Sequence, residues 1–141
     1  MTIGLYDKPI INVEITEAIT DNVIECWDKY KSNPINTIDI TSSATFDGIQ
    51  SDNILNLLDF QEDYKFQGAL KNILEIVQYL LRSKLHYYWV HFVEYYSGGY
   101  QGLHNHEHNE DYSLILYLNT CKGGETCFES GVVCTPKKNN M

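Results

Sequence analysis

The sequence predicts an α+β fold in which helices buttress an antiparallel sheet or barrel. Up to about residue 85 the apolar residues recur at helical spacing, and from His86 onward they recur at period two. Two glycine pairs, Gly98 with Gly99 and Gly123 with Gly124, punctuate the second half as turns between strands. Helices that precede strands, rather than alternate with them, point to α+β. With 141 residues, 43% hydrophobic and 13% aromatic, the chain suits one domain with one buried core. The expected organisation is a single domain over 1–141, with an opening strand and supporting helices in 1–85 and the sheet core in 86–141.

Residues 5–15 alternate loosely and include Ile10, Ile11, Val13 and Ile15, which predicts the opening strand. Over residues 16–31, Ile19, Val23, Ile24, Trp27 and Tyr30 lie at helical spacing behind Thr16 as N-cap, a packing helix. Residues 32–52 are rich in Ser, Thr, Asn and Asp and are broken by Pro34 and Gly48, a surface connection with room for one short strand. Residues 51–64 suit a short helix, and 67–85 a longer one whose stripe is Leu70, Ile73, Leu74, Val77, Leu80 and Leu81. Trp89, His91, Val93 and Tyr95 then alternate with Val90, Phe92, Glu94 and Tyr96, a strand that Gly98 and Gly99 end in a turn. A further strand is expected at 111–119 and a pair of short strands at 125–134.

Charge narrows the partners. A net charge of −9 repels phosphate backbones and anionic lipid, so neither nucleic acid nor membrane is an expected partner. The N-terminal residues show no basic region followed by an apolar run, and no apolar stretch approaches the ~20 residues a bilayer requires; the chain reads as soluble and cytoplasmic. Cys26, Cys121, Cys127 and Cys134 form no CxxC pair, so reduced thiols are expected. The spacings of Cys121, Cys127 and Cys134 do not match a zinc knuckle. Gly98, Gly99 and Gly102 do not form the glycine run of a nucleotide site.

The chemistry concentrates in residues 95–128. His104, His106 and His108 alternate, so an extended backbone turns three imidazoles to one side. Imidazole and carboxylate are the ligands a first-row metal favours at neutral pH, and an HxH pair supplies two nitrogens about one pleat repeat apart. His104 and His106 are the first candidates for metal ligands, with His108 and Glu110 as subsidiary ones. His91 shares strand parity with Tyr95, which would let it face the pocket, but a buried, hydrogen-bonded position suits it better.

In these residues the chain resembles the 2-oxoglutarate- and Fe(II)-dependent dioxygenases, in particular the prolyl-4-hydroxylase-like branch. The family pattern is a tyrosine-bearing strand, a glycine turn, HxD, a strand ending in YLN, then GGxT and an aromatic. Here it is read as Tyr95, Gly98 and Gly99, His104 to His106, Tyr117-Leu118-Asn119, Gly123-Gly124-Glu125-Thr126 and Phe128. The resemblance implies a double-stranded β-helix (jelly roll), of which residues 86–141 would be the first part. It implies Fe(II) as cofactor and 2-oxoglutarate as co-substrate, with hydroxylation of a C–H bond in a small molecule or peptide. His104 would be the first iron ligand and His106 would stand where relatives carry aspartate. Tyr95 and Tyr117 would line the pocket or contact the 2-oxoglutarate carboxylate; as a sheet-core residue, Tyr95 has an equally good alternative role.

The chain departs from the family pattern in two places. His106 in place of aspartate removes one negative charge from the metal's surroundings, although three-histidine iron dioxygenases show that imidazole can serve. Relatives continue through Pro-Lys-Lys-Gly to a distal histidine ligand and an arginine or lysine that pairs with 2-oxoglutarate. This sequence runs through Pro136, Lys137 and Lys138 to Met141 without either. The resemblance therefore implies a core fragment of such an enzyme, its jelly roll incomplete at the C-terminus. The third metal ligand is unspecified, catalysis by these residues alone is an open question, and an open sheet edge offers a route to a homodimer. Two further readings stand beside it. Gly98, His104, His106 and Glu110 match the first motif of a cupin-type metal-binding protein in spacing, and a non-catalytic jelly-roll module for binding or assembly needs no metal at all.

Overall fold

The computed structural model describes residues 10–33, 36, 45–104 and 110–141. They gather into two compact units, one of Ala18–Ser113 and the other of Met1–Glu17 with Leu114–Met141. Among the described residues the elements are helices and two small antiparallel sheets, neither of them closed, so the chain is mixed α+β. No helix among them is long and apolar enough to cross a membrane.

In the Ala18–Ser113 unit, helix α1 (Glu17–Ser32) buries Val23, Trp27 and Tyr30 of the predicted stripe, together with Thr20 and Cys26, which the stripe did not include, while Ile19 and Ile24 are half-buried. Helix α3 (Tyr64–Leu81) starts three residues earlier than the apolar pattern suggests. Asp63 explains this: its Oδ1 accepts from the Phe66 amide at 2.9 Å, satisfying a donor the first turn would otherwise leave open. Its far end is set by Arg82, left-handed at φ 50°, so the helix stops at Leu81, four residues short of the predicted end at 85. The short helix expected between them is two pieces, a 3-10 turn at Ile54–Asn56 capped by the Asn53 side chain and α2 (Leu58–Gln61).

These elements close over an aromatic centre. Phe60 is fully buried, with ring centroids 5.0 Å from Tyr30, 5.1 Å from Phe66 and 5.8 Å from Phe92. Phe92 also stacks on Trp27 at 4.5 Å. Such pairs add to the burial of their large apolar surfaces, so this cluster joins α1, α2, α3 and the segment that enters the sheet.

Strand β1 (Thr45–Gln50) pairs antiparallel with β2 (Val93–Gln101). Here the sequence reading needs correction: Gly98 and Gly99 do not end the strand. β2 runs through them, with Phe46 opposite Tyr100 and Gly48 opposite Tyr95, so that residues 96–99 bulge against Asp47 alone. Glycine is required for this. Gly98 has φ 83°, and a Cβ on Gly99 would stand 2.1 Å from the Asp47 carbonyl oxygen. Upstream, residues 86–92 form no regular strand, although the Val90 and Phe92 carbonyls accept from the Ile54 and Ser51 amides at 2.9 Å.

In the other unit, β3 (Thr126–Cys127) and β4 (Val133–Cys134) form the expected pair of short strands. The opening strand of the sequence reading falls partly outside the described residues; within them, Glu14 bridges Asn140, and Val13 and Met141 exchange both backbone hydrogen bonds at 2.9 Å. On the opposite side of the same segment, the Tyr117 amide donates to the Asn140 carbonyl at 2.9 Å and the Asn139 amide to the Tyr117 carbonyl at 3.1 Å. Among the described residues no strand forms over 111–119, and the backbone pairing seen there is that of Tyr117. A strand is completed by neighbours on its edges, and its apolar alternation alone does not supply them.

Candidate functional site

Strand β2 leads from the aromatic core to His104. At its start, Glu94 is tied to α1: its Oε2 accepts from the Trp27 indole at 3.0 Å and from the Lys31 ammonium at 2.6 Å. Burial opposes the charge on Glu94, but the hydrogen bonds from Lys31 and Trp27 outweigh it and hold the carboxyl below its ordinary range. Lys31 also lies 5.3 Å from the Trp27 ring centroid, over its face. The strand is thereby anchored one residue before Tyr95.

Tyr95 is partly exposed, and its hydroxyl makes a long 3.5 Å contact with Gln101 Oε1 across the bulge. Burial of the ring raises its phenol above the usual tyrosine range. Gln101 Nε2 in turn donates to Thr45 Oγ1 at 3.4 Å. The bulge is what folds residue 101 back toward residue 95.

His104 follows two residues after the strand. Its Nδ1 stands 2.8 Å from the Gly102 carbonyl oxygen, which can only accept, so the proton of this bond sits on Nδ1. Metal-binding histidines are commonly oriented in this way, through a backbone carbonyl on the other ring nitrogen. His106 and His108 lie outside the described residues. Glu110 is half-buried. Among the described residues, no group of three or more His, Cys, Asp or Glu side chains is gathered so as to hold a metal ion.

Tyr117 belongs to the other unit and is half-buried there. Its hydroxyl donates to Thr126 Oγ1 at 2.6 Å and lies 3.3 Å from the Cys134 carbonyl oxygen, a second acceptor within reach. It sits across β3 and β4 and ties both to the segment that precedes them. His91 lies outside any regular strand, is half-buried rather than buried, and accepts from the Trp89 indole on Nδ1 at 2.8 Å. The thiols stay apart: Thr126 faces Cys134 and Cys127 faces Val133, which puts Cys127 and Cys134 on opposite faces of their ladder. An open groove of about 390 Å³, lined by Ile19, Asn72, Glu75, Ile76, Tyr79 and Leu80, contains none of the candidate residues.

Two contributors, Glu94 and Gly102, carry no sequence signal for their roles, and a third, Thr126, has only its motif position. Glu94 reads as the polar face of a strand, and its partners are 67 and 63 residues away. Gly102 acts through its carbonyl, which sequence does not distinguish. Thr126 does stand in the GGxT motif, and that was its available signal. Compared with protein-family models, with curated proteins and with solved structures, the chain matches none.

Proposed function

We propose that this chain is the core of a 2-oxoglutarate- and Fe(II)-dependent dioxygenase of hydroxylase type, acting on a small molecule or peptide in the cytoplasm. The observation that supports this most is His104: it follows a tyrosine-bearing strand that carries a glycine bulge, and its imidazole is oriented through Nδ1 by the Gly102 carbonyl. That donor chemistry fits a first-row metal, with Nε2 as the ligating atom. His104 and His106 would hold the iron, and Tyr95 would contribute its phenol to the co-substrate. On this reading residues 86–141 form the first part of a jelly roll.

The chain's own residues would position and enclose. The Glu94 anchor fixes the strand register that carries Tyr95, and the bulge sets the path from Tyr95 to His104. A tyrosine phenol is protonated at neutral pH, so Tyr95 would donate a hydrogen bond to a carboxylate and add no charge of its own. When bound, Fe(II) with 2-oxoglutarate and O2 supplies the oxidant for C–H hydroxylation, 2-oxoglutarate leaving as succinate and carbon dioxide.

Succinate formation from 2-oxoglutarate tests the reading. Turnover that requires both Fe(II) and O2, and that disappears in His104→Ala, is the expected result. Metal held at His104 without consumption of 2-oxoglutarate would favour the cupin-type site with His106 and Glu110 instead. Neither metal binding nor turnover would leave the non-catalytic binding or assembly module.

A further inference from the structure

One face of the β1–β2 ribbon carries a continuous chain of hydrogen-bonding side chains that ends on Tyr95. Thr45 and Gln101 stand directly opposite each other across the ladder, and Gly48 stands opposite Tyr95. Direct partners in an antiparallel pair turn their side chains to the same side. Gly48 has no side chain to fill its place: a Cβ there would lie 3.2 Å from Tyr95 Cδ1 and 3.3 Å from the Thr45 methyl. The Tyr95 ring therefore lies across the glycine, toward Thr45 and Gln101.

The chain has a direction. The Tyr95 hydroxyl donates to Gln101 Oε1 at 3.5 Å, Gln101 Nε2 to Thr45 Oγ1 at 3.4 Å, and Thr45 Oγ1 to Gln50 Oε1 at 3.1 Å. An amide oxygen only accepts and an amide nitrogen only donates, so the Gln101 amide sets that direction. It commits the phenolic proton of Tyr95 to Gln101, away from any incoming carboxylate. The commitment is weak, since 3.5 Å is long for a hydrogen bond and Tyr95 is 38% exposed. The direction is also reversible: phenol and hydroxyl both donate and accept, and each amide exchanges its two ends by a half-turn. Reversed, Gln50 donates to Thr45, Thr45 to Gln101 and Gln101 Nε2 to the phenol oxygen, which leaves the phenolic proton for a carboxylate. No bond is lost, and the bond gained is to a charged acceptor, about twice as strong as a neutral one.

We infer that Gln101 is a positioning residue for the 2-oxoglutarate carboxylate: its amide holds the Tyr95 proton until the co-substrate arrives and, by turning, releases it. This role rests on the dioxygenase reading, in which Tyr95 meets that carboxylate. Gln101 acts through Tyr95, and Thr45 and Gln50 complete the chain behind it.

Succinate formation by the 141-residue chain with Fe(II) tests this, with KM for 2-oxoglutarate read apart from kcat. Gln101→Glu only accepts and cannot turn, so it keeps the phenolic proton, and KM should rise about tenfold or more. Gln101→Met removes the hold together with the support, so its KM should lie at least about threefold below that of the glutamate variant. A merely structural role predicts the opposite order, because methionine loses both bonds and glutamate keeps one. Gln50→Glu fixes the Thr45 proton from the far end; it should raise KM in the same direction, and it carries the test if Gln101→Glu does not fold. In a Tyr95→Phe background Gln101→Glu should add nothing, whereas plain charge repulsion would act in either background. Methionine as damaging as glutamate, a rise that persists in Tyr95→Phe, or a change confined to kcat overturns the role of Gln101 and leaves the dioxygenase reading standing. No turnover by the parent chain overturns both.

Discussion

Removing the Glu94 carboxylate should loosen strand β2 from helix α1. In Glu94→Ala the Trp27 indole loses its acceptor at 3.0 Å and the Lys31 ammonium its partner at 2.6 Å. A fully buried hydrogen bond to a charged group contributes about 1.5–3 kcal/mol, and an exposed ion pair about 0.2–1 kcal/mol. The Lys31 and Glu94 side chains are 26% and 40% exposed, so solvent screens the pair and the lower part of these ranges applies. The sum is about 2 kcal/mol, or about 7 °C in melting temperature for a chain of this size. Glu94→Gln keeps an acceptor for the indole and should lose less. Its loss should coincide with that of Lys31→Met in a double-mutant cycle. The pH dependence has two edges. Glu94 is held low when folded, so its contribution is complete above the unfolded carboxylate value of about 4.3 and disappears as pH falls through the lowered folded value. Lys31 is pushed up, since its bonds to Glu94 outweigh the opposing effect of burial; its contribution is complete below about pH 10.4 and disappears as pH rises through the folded value. Urea melts across pH would show both edges. A Glu94→Ala midpoint equal to that of the parent would refute the anchor.

Phe60→Ala should be the most damaging single truncation, costing about 3–5 kcal/mol, because the ring meets Tyr30, Phe66 and Phe92 with no solvent on any side; thermal unfolding checks it, and a loss under 1 kcal/mol would contradict the aromatic centre. Gly99→Ala should cost about 1–3 kcal/mol, since its Cβ would fall 2.1 Å from the Asp47 carbonyl and force the bulge to shift. An unchanged melting point would place the bulge elsewhere. In alkylation at pH 8, Cys121 and Cys127 should react while Cys26 stays unlabelled, its thiol pushed up to about 12 by burial and then by Asp63. Mass spectrometry reads the sites, and labelling of Cys26 at the same rate would contradict its packing.

What the sequence made legible follows how local each signal is. The apolar stripes of α1 and α3 are written within single turns, so both helices were readable, and their ends were missed only where Asp63 and Arg82 set caps. The aromatic centre draws on residues 27, 60, 66 and 92, and no periodicity announces that such distant rings will meet. A glycine pair reads most simply as a turn. Only the opposing Asp47 backbone shows that it is a bulge within a continuing strand. The HxH spacing made His104 readable as a ligand candidate, but its orientation depends on a main-chain carbonyl that any residue could have supplied. Tyr117 was readable from its motif position, whereas the partners of its hydroxyl, Thr126 and the Cys134 carbonyl, depend on how the two short strands pair.

Iron affinity measured under anaerobic conditions, by equilibrium dialysis of the parent chain and of His104→Ala, bears most directly on the proposed chemistry. The reading expects Fe(II) to bind the parent, with affinity reduced more than about 10–100-fold in the variant, beyond what removal of an orienting partner alone produces. Equal affinity in both proteins would contradict it.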